Sequence, residues 1–242
     1  MSIIYEKNVY LAMLAEQCNR FNEMVSFLED LLKQREKDLN SDERNLLSIA
    51  YKNSISGLRS ALRTIMAYEN KEKKKENSSF LPYIQEYRKK IEDELTKKCK
   101  NILNVINNDL IKKAENDDEA KVFYIKMKGD YNRYIAEYAE DELKKEVTED
   151  ALKSYNEATT LAKNLKVLNP IALGLALNFS VFYYEAMNDH EKAIKIASEA
   201  LNEANKELPN IDEEAEENRD TVSIVNLLKE NLDMWKSEEE EN

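Results

Sequence analysis

The residues with the clearest chemical pattern are cations set seven apart. Lys52, Arg59 and Arg63 fall at i, i+7 and i+11, along one side of a helix. Lys126 and Arg133 repeat the seven-residue spacing, with Tyr134 beside Arg133 and Asp130 between them. Each cation taken singly reads as ordinary solvated surface charge. Two helices with the same device point elsewhere, because convergent cations repel unless an anion sits between them. The stretch 175–185 is almost wholly apolar, and Asn178 and Glu185, again seven apart, are its polar exceptions. A polar group buried without a partner costs about 1–3 kcal/mol, so these two either have core partners or face a cleft. Ile224, Leu227, Asn231 and Trp235 lie at i, i+3, i+7 and i+11, an apolar stripe with one amide that equally suits plain packing. Together the four stripes describe a groove with a cationic wall and an apolar wall carrying amides. An extended peptide bearing a phosphate suits such a surface. The phosphate carries about −1.5 to −2 charges, arginine's planar fork matches it bidentately, and Asn178 and Asn231 would bond the peptide main chain.

Long helices must position these stripes. The chain has 242 residues with only 3 Gly and 3 Pro, far below the roughly 7% Gly and 5% Pro of average usage. That is too few breakers for a sandwich, a barrel or a doubly wound sheet. Residues 5–35 read as two helices that split near Cys18–Asn22. Ser41 ahead of Asp42 and Glu43 predicts an N-cap and a helix to about Tyr68. Glu69–Ser79 reads as a polar loop, and Leu81-Pro82 restarts a helix to about Asn107. After a break at Glu115–Asp118 the pattern runs through Glu140, and Thr148 is a candidate cap for a helix to about Leu165. Asn169-Pro170 predicts a cap followed by Pro at the first helical position. That helix ends near Asn188. The last two helices span about Glu191–Glu207 and Glu213–Trp235. The expected class is all-α, about nine antiparallel helices. One folded domain is expected over 1–236, with 237–242 an acidic disordered tail too charged to fold.

The formal charge is −12, which argues against a nucleic-acid partner. Residues 212–242 hold 12 acidic and 3 basic side chains, leaving about −3 for the rest, so the body is nearly balanced and can hold a small anion site. Cys18 and Cys99 form no CxxC and are expected to be reduced packing residues. Glu6 and Lys7 interrupt any apolar leader, and no run of about 18 apolar residues occurs. A cytoplasmic chain with no membrane partner is expected. His190 is the single histidine and reads as a neighbour of a helix cap. No phosphate-cradling glycine motif, zinc motif or nucleophile motif is present. No enzyme, no cofactor and no metal site is expected.

Three segments carry a resemblance to a known family. Arg44–Asn53 (RNLLSIAYKN), Lys121–Tyr131 (KVFYIKMKGDY) and Gly174–Glu185 (GLALNFSVFYYE) resemble signatures of the 14-3-3 proteins, and Arg219–Trp235 matches a fourth more loosely. The resemblance covers about residues 10–236. Arg-cluster recognition of phosphorylated motifs is a known mode of that family. The resemblance implies a nine-helix, cup-shaped protomer that dimerises and binds phosphoserine or phosphothreonine peptides of client proteins. By position it assigns Lys52, Arg59, Arg133 and Tyr134 to the phosphate and Arg63 and Lys126 to supporting charge. Asn178 and Asn231, with Glu185 and Trp235 beside them, match the groups that hold the peptide backbone. Leu177, Val181, Ile224 and Leu227 match the apolar wall.

The resemblance further implies that the first two helices pack on the third and fourth of a partner. Arg20 with Glu94 and Glu23 with Lys90 are the implied ion pairs, and Leu14, Ala61 and Tyr87 the implied packing. Some sites depart from the pattern. Ser223 stands where the family is usually apolar, Asn132 and Ala172 replace an aromatic and a basic residue, and Ala61 replaces a phosphorylatable serine of some members. The expected function is a dimeric phosphopeptide-binding adaptor for signalling. One alternative is a phosphate-independent helical-repeat scaffold, since the hairpin Leu173–Pro209 has tetratricopeptide character that does not recur at 34-residue intervals. The other is a related dimer partner with weakened ligand binding.

Overall fold

Asparagine takes the place that glycine usually holds at the turns of this chain. Asn19 and Asn188 adopt left-handed φ values of 56° and 53°, while no described glycine has a positive φ. Asparagine tolerates that region better than other non-glycine residues, so helices can reverse direction in a glycine-poor chain.

The computed structural model describes residues 3–75 and 78–240. Nine helices and no strand occur among the described residues: α1 (Ile3–Gln17), α2 (Phe21–Lys33), α3 (Ser41–Lys73), α4 (Leu81–Val105), α5 (Asp118–Ala136), α6 (Asp141–Ala162), α7 (Pro170–Glu185), α8 (His190–Glu207) and α9 (Arg219–Glu240). α4 continues through a π-helical turn, Ile106–Leu110, into a last α turn, Ile111–Lys113.

The chain divides into two compact units, Met1–Lys113 and Ala114–Asn242. In the first, α2 packs on α1 and α3, and α4 packs on α3. Its core includes Met24, Leu28, Leu47, Tyr51, Leu95 and Cys99. In the second, α5 and α6 form the most extensive pair, α7 packs on both, and α8 and α9 pack on α7 and on each other. Tyr124, Ile135, Tyr155, Phe182 and Leu228 fill that core.

Most boundaries follow local chemistry. The cap of α3 is Asn40 rather than Ser41. Its side chain accepts from the Glu43 N–H at 3.0 Å, and Glu43 accepts from the Asn40 N–H at 2.8 Å, a complete capping box. Asp117 caps α5. Asn169 caps α7, accepting from the N–H groups of Ile171 and Ala172, with Pro170 at the first helical position. Thr148 is no cap: it lies inside α6, which starts at Asp141 and ends at Ala162.

Two polar segments differ from the sequence expectation. Glu69–Lys73 is helical rather than loop, because Glu69 is buried (3% exposed) and its carboxylate is satisfied by Lys73, Arg88 and Gln85. Positions 76 and 77 of that expected loop lie outside the described residues. At the far end, α9 runs on to Glu240. Glutamate is a good helix former, and the Glu238 carboxylate accepts the Tyr184 hydroxyl. Positions 241 and 242 lie outside the described residues. Both cysteines are free thiols; Cys99 is buried as expected, whereas Cys18 is exposed and therefore not a packing residue.

Candidate functional site

In the first unit, α3 carries the cationic stripe. Its buried face is Leu47, Tyr51, Ile55 and Leu62, and Lys52, Arg59 and Arg63 follow one line beside it. Lys52 and Arg63 are exposed and Arg59 is half-buried. At 1.5 Å rise per residue, Lys52 and Arg59 sit about 10 Å apart along the axis, within reach of one ligand only through their long side chains.

In the second unit, Lys126, Arg133, Tyr134, Asn178 and Glu185 gather at α5, almost all of which is buried from Ala120 to Ala136. Arg133 is 8% exposed. Its guanidinium lies 4.8 Å from the Tyr134 ring centroid, a cation–π contact. Nε donates to the Tyr155 hydroxyl at 3.4 Å, and Nη1 lies 3.7 Å from both Glu137 and Glu185. Burial opposes the charge on Arg133, but Tyr155, Tyr134 and Asp130 around it raise its pKa overall, so it remains a cation.

Asp130 is the hub of this cluster. One carboxylate oxygen accepts the Tyr155 hydroxyl at 2.6 Å and the Asn178 amide at 2.8 Å, and the other accepts Lys126 at 2.9 Å. Burial would push its pKa up. The cations of Lys126 and Arg133 and the Tyr155 hydroxyl outweigh burial and hold the carboxyl below its usual range. Burial, reinforced by Asp130, keeps the Tyr155 phenol protonated well above its ordinary pKa.

Lys126, Arg133, Tyr134, Asn178 and Glu185 are thus brought together within one unit. Two members of the cluster had no role in the sequence pattern, Tyr155 and Glu137. Asp130 gave a usable signal, since it lies four residues after Lys126, the i, i+4 spacing of a helical ion pair. Tyr155 gave none, because its contact with Asp130 depends on how α6 packs.

The apolar residues fall on α7 and α9. Leu177, Val181 and Ile224 are half-buried, Leu227 is 43% exposed, and Asn231 is half-buried. Ile224 reaches within 3.8 Å of where a Cβ on Gly174 would stand, so α7 and α9 meet there. Ser223 is exposed next to Ile224. Trp235 is buried, with its ring stacked on Tyr184 at 4.6 Å and Tyr184 stacked on His190 at 4.2 Å. Trp235 therefore pins α9 to α7. Asn132, which replaces an aromatic residue of the family pattern, is buried with its amide donating to the Lys128 carbonyl at 3.1 Å. Ala172 is half-buried on the first turn of α7.

In the first unit, Leu14, Tyr87, Lys90 and Glu94 are exposed and Ala61 is half-buried. Arg20 and Glu23 pair with each other across three residues. Among the described residues, no cluster of three or more His, Cys, Asp or Glu side chains is arranged to hold a metal ion, and no helix is long and apolar enough to cross a membrane.

Comparison with known proteins identifies the family of the chain. The family model described as 14-3-3 protein matches residues 11–236. The 14-3-3-like protein GF14 nu of Arabidopsis thaliana is 46% identical over 240 residues, 98% of this chain and 89% of the relative. The 14-3-3 protein 2 of Entamoeba histolytica is 45% identical over 233 residues, 96% of each. A 14-3-3 protein homolog of Trichoderma harzianum is 45% identical over 238 residues, 98% of this chain and 89% of the relative. With nine helices, no strand among the described residues and a family match from residue 11 to residue 236, the chain belongs to the 14-3-3 family.

Proposed function

We propose that the protein is a non-enzymatic, cytoplasmic adaptor that binds phosphoserine and phosphothreonine motifs of client proteins and regulates them by masking, clamping or scaffolding. The observation that carries this reading is Arg133, a buried guanidinium held beside Tyr134 in a chain of this family. A buried cation kept charged by its surroundings is suited to a dianion, and its fork geometry matches phosphate oxygens. Lys52 and Arg59 complete the phosphate set, Arg63 and Lys126 add supporting charge, and Asn178 and Asn231 hold the peptide main chain. Leu177, Val181, Ile224 and Leu227 receive the apolar residues that flank the phosphosite.

The same reading makes the protein a dimer, as homodimer or heterodimer. Tyr10, Met13 and Leu14 on α1 and Tyr87 on α4 are each about half exposed or more, the kind of apolar surface that marks an interaction site. In a dimer, Arg20 and Glu23 would exchange their mutual pair for Glu94 and Lys90 of a second copy. Exposed ion pairs contribute only about 0–1 kcal/mol each, so the apolar residues carry the association.

Titrating a phosphoserine peptide against Lys52→Glu and Arg59→Ala variants tests the phosphate set. Each variant should lose most binding while its circular dichroism and dimer mass match the wild type. Unchanged affinity in both would remove Lys52 and Arg59 from the site.

A further inference from the structure

An acidic side chain at the centre of a site for a dianion needs a reason to be there. Asp130 is buried, ionised and two bonds of contact away from the guanidinium that is to meet the phosphate. By charge alone it opposes the ligand. Its contacts suggest what it contributes instead.

Asp130 fixes two ligand-facing groups through one oxygen. That oxygen accepts the Asn178 amide nitrogen at 2.8 Å, which sets the rotamer and the amide orientation of Asn178. The amide then has its carbonyl oxygen and second hydrogen left for other partners, an acceptor and a donor that can bracket a peptide unit. The same Asp130 oxygen accepts the Tyr155 hydroxyl at 2.6 Å, and that hydroxyl in turn accepts Arg133 Nε at 3.4 Å. With Nε engaged, Arg133 is held by its edge, while Nη1 stands 3.7 Å from Glu137 and Glu185, beyond hydrogen-bond distance of either, and can turn to a ligand. The Tyr155 ring is held by stacking on Phe179 at 5.2 Å and by a tilted contact with Phe182 at 5.4 Å. The second Asp130 oxygen holds Lys126 at 2.9 Å.

We infer that Asp130 and Tyr155 are positioning residues that hold Arg133 and Asn178 in register, so that phosphate recognition and main-chain recognition depend on one buried carboxylate–phenol pair. This rests on the phosphopeptide reading above. Preorganised charged groups lose less freedom on binding, which favours a fixed Arg133 over a mobile one despite the added negative charge.

The two effects of Asp130 have opposite signs, and that makes the inference testable. If charge dominates, Asp130→Asn removes repulsion and tightens phosphopeptide binding. If positioning dominates, Asp130→Asn weakens it about tenfold and Tyr155→Phe, which deletes one oxygen, weakens it about fivefold. The experiment titrates a fluorescein-labelled phosphoserine peptide and its unmodified twin with the full-length wild type and both variants, each checked for folding by its thermal transition. Tyr155→Phe carries the test if Asp130→Asn does not fold. A second readout follows the Asn178 side-chain amide pair in the ¹⁵N–¹H spectrum, assigned by its loss in Asn178→Ala. Asp130→Asn should move that pair in the ligand-free protein, or Tyr155→Phe should do so if it alone folds. Weakened binding together with a displaced Asn178 signal supports the inference. Folded variants that bind as tightly as the wild type, or tighter, overturn it. A wild type that does not distinguish the two peptides overturns the phosphopeptide reading, and the inference with it.

Discussion

Gly129 of α5 lies so close to Tyr155 of α6 that a Cβ added to the glycine would stand 2.8 Å from the phenol ring. Tyr155 is fully buried and wedged against Phe179 and Phe182, so the ring has nowhere to retreat. The missing side chain is what lets the hydroxyl reach Asp130. Gly129→Ala should therefore destabilise the protein by about 1–2 kcal/mol, the cost of overpacking outweighing the better helix propensity of alanine. Gly57 in α3 is the matched control, because a Cβ there meets nothing within 4 Å. Gly57→Ala should stabilise by about 0.5–1 kcal/mol. Urea unfolding of both variants measures the difference, and a stabilised Gly129→Ala would contradict the packing described.

Acid stability should depend on Glu69. Hydrogen bonding from Lys73, against a smaller effect of burial and with help from Arg88 and Gln85, holds its carboxyl at about 2. A depressed carboxyl contributes stability in full above its unfolded pKa of about 4.3, and that contribution is lost as pH falls toward 2. The shift corresponds to roughly 2–3 kcal/mol. Thermal scans from pH 6 to pH 2 should show the wild type losing this increment across that window. In Glu69→Gln the corresponding loss should be missing. Parallel curves for the two proteins would contradict the assignment.

Trp235 is the sole tryptophan and reports directly on the docking of α9. Stacked on Tyr184 and buried, it should emit at the blue end of the tryptophan range. Tyr184→Ala removes the ring between Trp235 and His190. Emission should shift to the red, and stability should fall by about 1 kcal/mol beyond the loss of buried area. An unchanged spectrum would show that the stack does not hold in solution.

The exposed apolar residues of the first unit give a separate prediction. Leu14→Glu places a charge on the surface proposed for self-association. Analytical ultracentrifugation should show a dimer for the wild type and a monomer for the variant, with the helical content of both the same. A variant that sediments as a dimer would place the interface elsewhere.

How much of this was legible in the sequence divides along physical lines. A helix start with local chemistry was readable: Asn169-Pro170 needs only its neighbours in the chain. The seven-residue spacing of Lys126–Arg133 and Asn178–Glu185 also survived, since helical geometry alone puts such residues on one side. Segments whose polarity is cancelled by distant partners were not readable. Glu69 looks like loop chemistry until Arg88, 19 residues on, satisfies it. Ser223 and Asn132 show the limit from the other side. Both depart from the family pattern in the sequence, but only the structure shows that Ser223 is exposed and that Asn132 is buried on its own helix turn. Tyr155 could not have been found at all, because nothing in its neighbourhood marks it as the partner of Asp130.

The central claim is that this chain recognises phosphate on a peptide, and one titration tests it most directly. A fluorescein-labelled phosphoserine peptide and its unmodified twin are titrated with the wild-type protein and followed by anisotropy. The phosphorylated peptide should bind at least about a hundredfold more tightly, as expected when several charge-assisted hydrogen bonds of about 1.5–3 kcal/mol each engage one group. Equal binding of the two peptides would contradict the account.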